Sequence, residues 1–117
     1  MDIRENDYSV VYEEGAKTVK FQGNIRLQGV SEYEPIKSLL GACAEQLTGS
    51  DTLTLDFQGL KFLNSAGITT LSMFVIAMRK KNTTKLAVVG SKVVAWQEKS
   101  LNNLNKIWSD IQVSFHE

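Results

Sequence analysis

The chain has 117 residues, of which 43% are hydrophobic, and this is the size and composition of one ordinary globular domain. Its 13 Lys and Arg residues balance its 13 Asp and Glu residues, so the formal net charge is zero. Because binding to nucleic acid requires a clustered excess of positive charge, this balance argues against a nucleic-acid-binding protein.

The first predicted elements are two strands that form an antiparallel hairpin. Residues 8–12 are rich in strand-forming side chains, residues 13–16 indicate a turn, and residues 17–21 alternate polar with apolar. Residues 2–7 are predicted to be an exposed acidic lead. Residues 24–28, between two glycines, are either a short extended piece or a structured loop.

From residue 34 the spacing of apolar side chains becomes helical. Pro35 suits a first helical turn and Gly49 suits the end of the helix. The apolar positions between them follow the i, i+3, i+4, i+7 rule: Ile36, Leu39, Leu40, Cys43 and Leu47. Cys43 is therefore expected to be a small core residue.

The rest of the chain alternates strands with helices. A strand over residues 52–57 is followed by a passage to a second helix, which runs from about residue 65 to Lys81. Residues 85–89 are almost continuously apolar, as expected of a strand that is covered on both faces. Gly90-Ser91 is predicted to cap a third helical region, and residues 111–115 form a final strand.

Two tryptophans accompany the third helix. Trp108 continues its apolar stripe and is expected in the core. Trp96 lies off the stripe, and it either packs against a neighbouring element or is a half-exposed binding anchor.

Strands that alternate with helices in this way predict an α/β fold with a mostly parallel sheet and an N-terminal antiparallel hairpin. In open sheets of this class the functional crevice lies beyond the carboxyl ends of the strands. Two strand-to-helix junctions lie at such ends: Phe62 to Gly67, and Val89 to Lys92.

The catalytic inventory of the sequence is short. The one histidine, His116, lies one residue from the C-terminus, which argues against a His-based triad, and a single histidine excludes a multi-His metal site. The sequence also has no glycine-rich nucleotide loop, HExxH or CxxC motif. No signal segment follows the charged N-terminus, and no apolar run reaches the roughly 20 residues of a membrane helix. We therefore expect a cytoplasmic protein that is not an enzyme, with no metal, no cofactor and no membrane insertion.

The junction Asn64-Ser65-Ala66-Gly67 places a hydroxyl group at a helix N-terminus. Asn64 or Ser65 could simply cap the helix. Alternatively, Ser65 could accept a phosphate, which would meet free amides and the positive end of the helix dipole.

This junction resembles the signature of STAS domains, the bacterial anti-sigma-factor antagonists. In that family a strand ends in Asp and is followed by a short apolar stretch and then by Asp-Ser-Ser-Gly-Leu at a helix start. Here the corresponding residues are 53–57, 60–68 and Leu71, and Gly23 also matches. The order of elements is similar over about residues 8–115, which predicts a single STAS-like domain over residues 1–117. The Asn-Ser-Ala-Gly-Ile form is most similar to a subgroup of small stand-alone members, largely cyanobacterial.

The resemblance implies a partner-switching regulator. In the family, a serine kinase, often itself the anti-sigma factor, phosphorylates the first Ser of the motif, and a phosphatase reverses this. Only the unphosphorylated form binds the kinase or anti-sigma factor. The matching residue is Ser65. Asn64 departs from the family's Asp, and Ala66 from its second Ser, which leaves Ser65 as the only hydroxyl at the tip.

The residues expected around Ser65 form the predicted partner interface: Phe62, Asn64, Ala66, Gly67, Asn24, Arg26, Ser91 and Lys92. Arg26 and Lys92 could contact a phosphate or could be ordinary solvated surface. Two alternative functions remain open. One is a constitutive docking subunit without phosphorylation, and the other is a weak nucleotide- or small-ligand-binding module.

Overall fold

A six-stranded sheet organises the fold, and its strands are neighbours in chain order. The computed structural model describes residues 1–117. The strands are β1 (Asp2–Arg4), β2 (Tyr8–Glu13), β3 (Thr18–Ile25), β4 (Thr52–Leu63), β5 (Lys85–Ser91) and β6 (Gln112–His116). The first three strands are antiparallel neighbours, and β3 to β6 are parallel. This confirms the mostly parallel α/β sheet with an N-terminal hairpin.

The helices connect the parallel strands. They are α1 (Gly29–Glu32), α2 (Glu34–Glu45), α3 (Ser65–Lys81) and α4 (Gln97–Ile107), and a 3-10 turn (Glu14–Ala16) joins β2 to β3. Parallel crossovers are right-handed, and each crossover here leads to the adjacent strand in the same direction, so all the helices cover one face of the sheet. None of these helices has the length and apolar content needed to cross a membrane.

Burial along the strands alternates as this arrangement requires. In β5, Leu86 and Val88 are buried beneath the helices, whereas Ala87 and Val89 on the opposite face are partly exposed. The expectation that this strand is covered on both faces was therefore wrong. Its apolar run arises because small aliphatic side chains occupy the open face, without a second layer of helices.

The core lies between the sheet and the helices. Phe21 of β3 and Phe57 of β4 stack with ring centroids 4.5 Å apart. Cys43 of α2 and Trp108 after α4 are both buried, as the helical spacing predicted. All four side chains belong to one core cluster, which holds α2 and the end of α4 against the sheet.

The structure has one strand that was not predicted, β1, and one that is longer than predicted, β4. The acidic lead contains β1, a short polar strand whose hydrogen bonds go to β2, so its sequence carries no apolar alternation. β4 continues through Gln58-Gly59 to Leu63, because a register shift against β3 absorbs the irregularity instead of ending the strand. Residues 24–28 divide between the end of β3, at Ile25, and the loop that follows it.

The third helical region was also misplaced at its start. Gly90 and Ser91 belong to β5 and do not cap a helix, and α4 begins six residues after Ser91, at Gln97. Similarly, α2 ends at Glu45, before Gly49 is reached. In both places the chain uses a turn where the sequence pattern alone predicted a longer helix.

Candidate functional site

The carboxyl ends of β3, β4 and β5 bring the predicted site segments together. Asn24 pairs with Phe62 and Ile25 with Leu63, so the loop after β3 lies directly beside the start of α3. We call residues 24–28, 60–66 and 91–96 the carboxyl edge. It contains every residue predicted around Ser65 except Gly67, which lies just beneath it.

Asn64 is the polar centre of this edge. Its Oδ1 accepts from the Gly67 amide at 3.1 Å and from the Tyr33 hydroxyl at 2.6 Å, and its Nδ2 donates to the Leu27 carbonyl at 2.8 Å. One side chain therefore caps α3 and ties that helix to both the β3–α1 loop and the start of α2. Of the two capping candidates, Asn64 is the cap.

Tyr33 is the partner of Asn64 that the sequence analysis missed. Its side chain is almost fully buried, and this burial raises the pKa of its hydroxyl, so the hydroxyl remains a donor over the physiological range. Its Oη is also 3.4 Å from the Ile25 carbonyl. The sequence did not predict this hydrogen bond, because Asn64 is 31 residues away and no local pattern relates it to a tyrosine just before the helix.

The Ser65 side chain is exposed and does not stabilise the start of the helix. It is the first residue of α3, and its side chain makes no hydrogen bond within the chain. The Ser65 and Ala66 amides precede the first residue that can bond within the helix, and the third amide of the helix is taken by Asn64. A group attached to the Ser65 hydroxyl therefore lies close to a helix N-terminus that retains unpaired donors.

Gly67 and Ala66 lie behind Ser65 and face inward. Gly67 is buried, and a Cβ there would collide with the Leu63 side chain and come within 2.9 Å of the Tyr33 Oη. Ala66 is half-buried against the core. The small residues of the motif therefore allow α3 to approach Leu63 and Tyr33 closely.

Phe62 and Arg26 form a pair on the outer surface of the edge. The Phe62 side chain is 38% exposed, and the Arg26 guanidinium carbon is 4.8 Å from the centroid of its ring. This is a cation–π contact, which orients the guanidinium without neutralising it. Asn24, one residue before the end of β3, donates its amide to the Asp7 carbonyl at 2.9 Å and so joins the edge to the β1–β2 loop.

Gln97, the first residue of α4, closes a gap between β4 and β5. The pairing of β4 with β5 ends at Asp56 and Val89, so the outer half of β4 has no strand on that side. Buried Gln97 donates to the Phe57 and Leu60 carbonyls at 2.6 and 2.8 Å and accepts from the Ser91 amide at 2.7 Å. In the sequence, Gln97 has the helical spacing of Leu101 and Leu104, and this spacing was the signal that its side chain is buried.

The loop from Ser91 to Trp96 is held against β4 by a second contact. The Trp96 indole N–H donates to the Lys61 carbonyl at 3.0 Å, so of its two interpretations Trp96 packs against a neighbouring element. Ser91 is buried, and its Oγ accepts from the Val93 amide at 3.2 Å. Lys92 and Val93 are left on the surface, and Val93 is 78% exposed.

The charge of the carboxyl edge differs from that of the whole chain. Its segments contain Arg26, Lys61 and Lys92 and no Asp or Glu, although the chain as a whole is neutral. None of the three cations takes part in any of the ion pairs of the structure, which join Arg4 to Asp2, Lys17 to Asp51, Lys20 to Glu13 and Lys81 to Glu45. The segments that form the carboxyl edge with Ser65 therefore contribute three unpaired cations and no carboxylate of their own.

Other reactive groups are not gathered at this edge. Cys43 is buried in the core, and burial raises the pKa of its thiol to about 11. No group of three or more His, Cys, Asp or Glu side chains is placed to hold a metal ion. The clefts of about 390 and 570 Å³ are lined mainly by polar side chains, and neither includes Ser65.

Comparisons with known proteins identify the fold. No family model matches the sequence, and no curated protein matches it significantly. The crystal structure of apo-SiaC from Pseudomonas aeruginosa superimposes with a TM-score of 0.72 at 11% identity, covering 100% of this chain and 99% of that one. The chain has the SiaC fold.

A second SiaC structure covers the chain equally completely. It is described as the diguanylate cyclase SiaD in complex with its activator SiaC, also from Pseudomonas aeruginosa, and it matches with a TM-score of 0.64 at 13% identity over 99% of both chains. These matches confirm the STAS-like α/β fold that the junction at Ser65 predicted. At such low identity the similarity is one of fold.

Proposed function

We propose that the chain is a regulatory protein-binding module that docks on a partner protein through its carboxyl edge. Phosphorylation of Ser65 would control this docking. The observation that carries the proposal is the position of Ser65: its hydroxyl is exposed at the start of α3, while Asn64 performs the capping. A hydroxyl without a structural role can be modified without unfolding the helix start.

The comparison with SiaC supports a protein as the binding partner. SiaC is described as an activator of the diguanylate cyclase SiaD and was crystallised in complex with it. For this chain, the candidate partners are a serine kinase that is also an anti-sigma factor, as the STAS resemblance implies, and a cyclase of the SiaD kind. A serine phosphatase would restore the unmodified form.

The mechanism follows from the desolvation of Ser65 at an interface. A partner that covers the carboxyl edge excludes water from the Ser65 side chain. A phosphate there adds about −1.5 to −2 charge, and covering it with a partner surface that presents no cation of its own costs several kcal/mol. The phosphorylated chain would therefore be released without any change of fold.

The first prediction concerns Ser65 itself. We expect Ser65→Asp to weaken binding of the partner at least tenfold, whereas Ser65→Ala retains it. Both variants would serve as baits in extracts of the native cell, and the protein recovered by only one of them would be purified and titrated by calorimetry. Intact-mass measurement of the chain from native cells should show a fraction about 80 Da heavier, mapped to Ser65.

Ser109→Asp is the matched control for this experiment. Ser109 is exposed and lies after α4, at the opposite end of the sheet from Ser65. The same substitution there adds the same charge and should leave partner binding unchanged. Equal affinities of the Ser65→Ala and Ser65→Asp variants would contradict the switch and favour a constitutive docking module.

The small-ligand alternative has less support from the geometry. The 390 Å³ cleft lies at the amino end of β5, away from the carboxyl edge. The 570 Å³ cleft reaches the edge at Leu27, but its carboxylates, at Glu5, Asp7 and Glu32, would repel the phosphates of a nucleotide. Calorimetry with ATP and GTP tests this alternative, and we expect no affinity tighter than roughly millimolar.

A further inference from the structure

The carboxyl edge combines unpaired positive charge with exposed apolar surface. Arg26, Lys61 and Lys92 carry the charge, and the same segments contain no carboxylate. Phe62 and Val93 are two of the five large hydrophobic side chains that the whole chain leaves exposed. Aromatic side chains and arginine are enriched at protein-binding surfaces, and here Arg26 lies against the exposed Phe62 ring.

Three separate constraints build this surface, so it is a fixed feature of the fold. Arg26 is positioned by its contact with the Phe62 ring, and Lys61 by β4, whose carbonyl at that residue accepts from Trp96. The amide of Lys92 donates to the His116 carbonyl at 2.8 Å. The backbone of all three cationic residues is therefore held by the fold: Arg26 and Lys61 lie at the ends of β3 and β4, and Lys92 lies at the end of β5 beside β6.

Acidic groups adjoin the edge at its β3 end, where the Glu32 Oε1 accepts from the Gln28 amide at 3.0 Å, and at two further places. The β1–β2 loop, with Glu5 and Asp7, adjoins it beside Asn24, and the C-terminal Glu117 follows the strand that holds Lys92. None of these carboxylates forms an ion pair with the three cations. The positive charge of the edge is therefore available to a binding partner.

We propose that the partner docks an acidic, partly apolar protein surface on the carboxyl edge. A protein is favoured over nucleic acid or a lipid bilayer because the edge has only three cations beside its two exposed apolar side chains, and the net charge of the chain is zero. Steering by opposite charge accelerates association with such a partner and excludes basic ones. This inference rests on the proposed docking function and adds the chemistry of the partner to it.

The proposal also assigns a second effect to a phosphate at Ser65. About two negative charges would cancel most of the charge of Arg26, Lys61 and Lys92 and would repel an acidic partner. Release would thus include the loss of electrostatic attraction, in addition to the cost of desolvation. This contribution falls with added salt, whereas a purely steric block by the phosphate does not.

Photo-cross-linking identifies the surface that the partner presents. A benzoylphenylalanine in place of Phe62, in native cells, should capture peptides of one protein with net negative charge. Benzoylphenylalanine in place of Ile76 is the matched control, because Ile76 is similarly exposed but lies about 16 Å along α3 from Ser65, the first residue of that helix. Neutral or basic captured peptides, equal capture at Ile76, or no capture at Phe62 would overturn the proposal.

Charge reversal then tests the electrostatics with the purified partner. Lys61→Glu combined with Lys92→Glu should weaken binding at least tenfold in 50 mM NaCl and less in 300 mM NaCl. The control is Lys80→Glu with Lys106→Glu, which makes the same change of charge at exposed lysines near the C-terminal ends of α3 and α4. Replacing the captured partner carboxylates with Lys should restore binding to the reversed chain.

Two results would count against this partner chemistry. One is unchanged affinity after charge reversal, and the other is Lys61- and Lys92-dependent binding to phosphatidylserine vesicles or duplex DNA, which would make the occupant an anionic surface of another class. The test is independent of the switch. If reversal weakens binding while the Ser65→Ala and Ser65→Asp variants bind equally, the docking chemistry holds and regulation at Ser65 fails.

Discussion

At the scale of single residues, the departure of Asn64 from the Asp of the STAS motif has a structural reason. Its Nδ2 donates to the Leu27 carbonyl, and a carboxylate has no proton to donate there. Its Oδ1 bonds, to Gly67 and Tyr33, could be made by either residue type. The amide therefore gains one bond between α3 and the β3–α1 loop.

This reasoning predicts that Asn64→Asp is destabilising. The carboxylate would face the Leu27 carbonyl oxygen without a hydrogen between them, at a cost of about 1 to 3 kcal/mol. Urea unfolding at pH 7 measures the change in the free energy of unfolding. Asn102→Asp, at an exposed position of α4, is the control and should change stability by less than about 0.5 kcal/mol. Equal effects of both substitutions would show that the Leu27 bond contributes nothing.

At the scale of elements, the sequence predicted those parts whose own residues carry a local pattern. The helical spacing of its apolar residues predicted α2, a continuous apolar run predicted β5, and the position between a strand and a helix predicted the Asn64-Ser65 junction. β1 and the outer half of β4 have no such pattern, because both depend on pairing with a strand elsewhere in the chain. The hydrogen bonds of Tyr33 and Gln97 were not predicted for the same reason, since their partners are distant in sequence.

Gln97 holds α4 to both β4 and β5, so its loss should affect the whole carboxyl edge. Gln97→Leu removes the partner of three buried backbone groups, at Phe57, Leu60 and Ser91, and should cost about 3 kcal/mol or more. Hydrogen exchange of the Ser91 amide should accelerate in the same variant. Gln46→Leu, at the exposed end of α2, is the control. Unchanged exchange at Ser91 would mean that the edge does not rely on this side chain.

At the scale of the whole molecule, the two faces of the sheet differ: one packs against the helices and forms the core, and the other is open to solvent. All helices pack on one face, so the core lies between that face and the helices, and the carboxyl edge is built where core and solvent meet. Cys43 lies in this core with no exposed surface, and its pKa reports on how dry the core is. Any motion that opens α2 from the sheet must expose this thiol.

Cys43 therefore predicts both a reactivity and a pH dependence. At pH 8 a thiol with a pKa of about 11 has a thiolate fraction about a hundredfold below that of an ordinary cysteine, and burial slows reagents further. The rate of reaction with Ellman's reagent should accordingly be at least about a hundredfold lower in the native chain than in urea.

Because the raised pKa belongs to the folded state, the folded chain favours the protonated thiol. This stabilisation is complete below the ordinary pKa near 9 and is lost as the pH rises toward 11. Cys43→Ala should flatten the loss of stability in that range, leaving the part due to the tyrosines whose pKa burial also raises, Tyr8, Tyr12 and Tyr33. Rapid labelling of the native chain would instead require that α2 separates from the sheet without global unfolding.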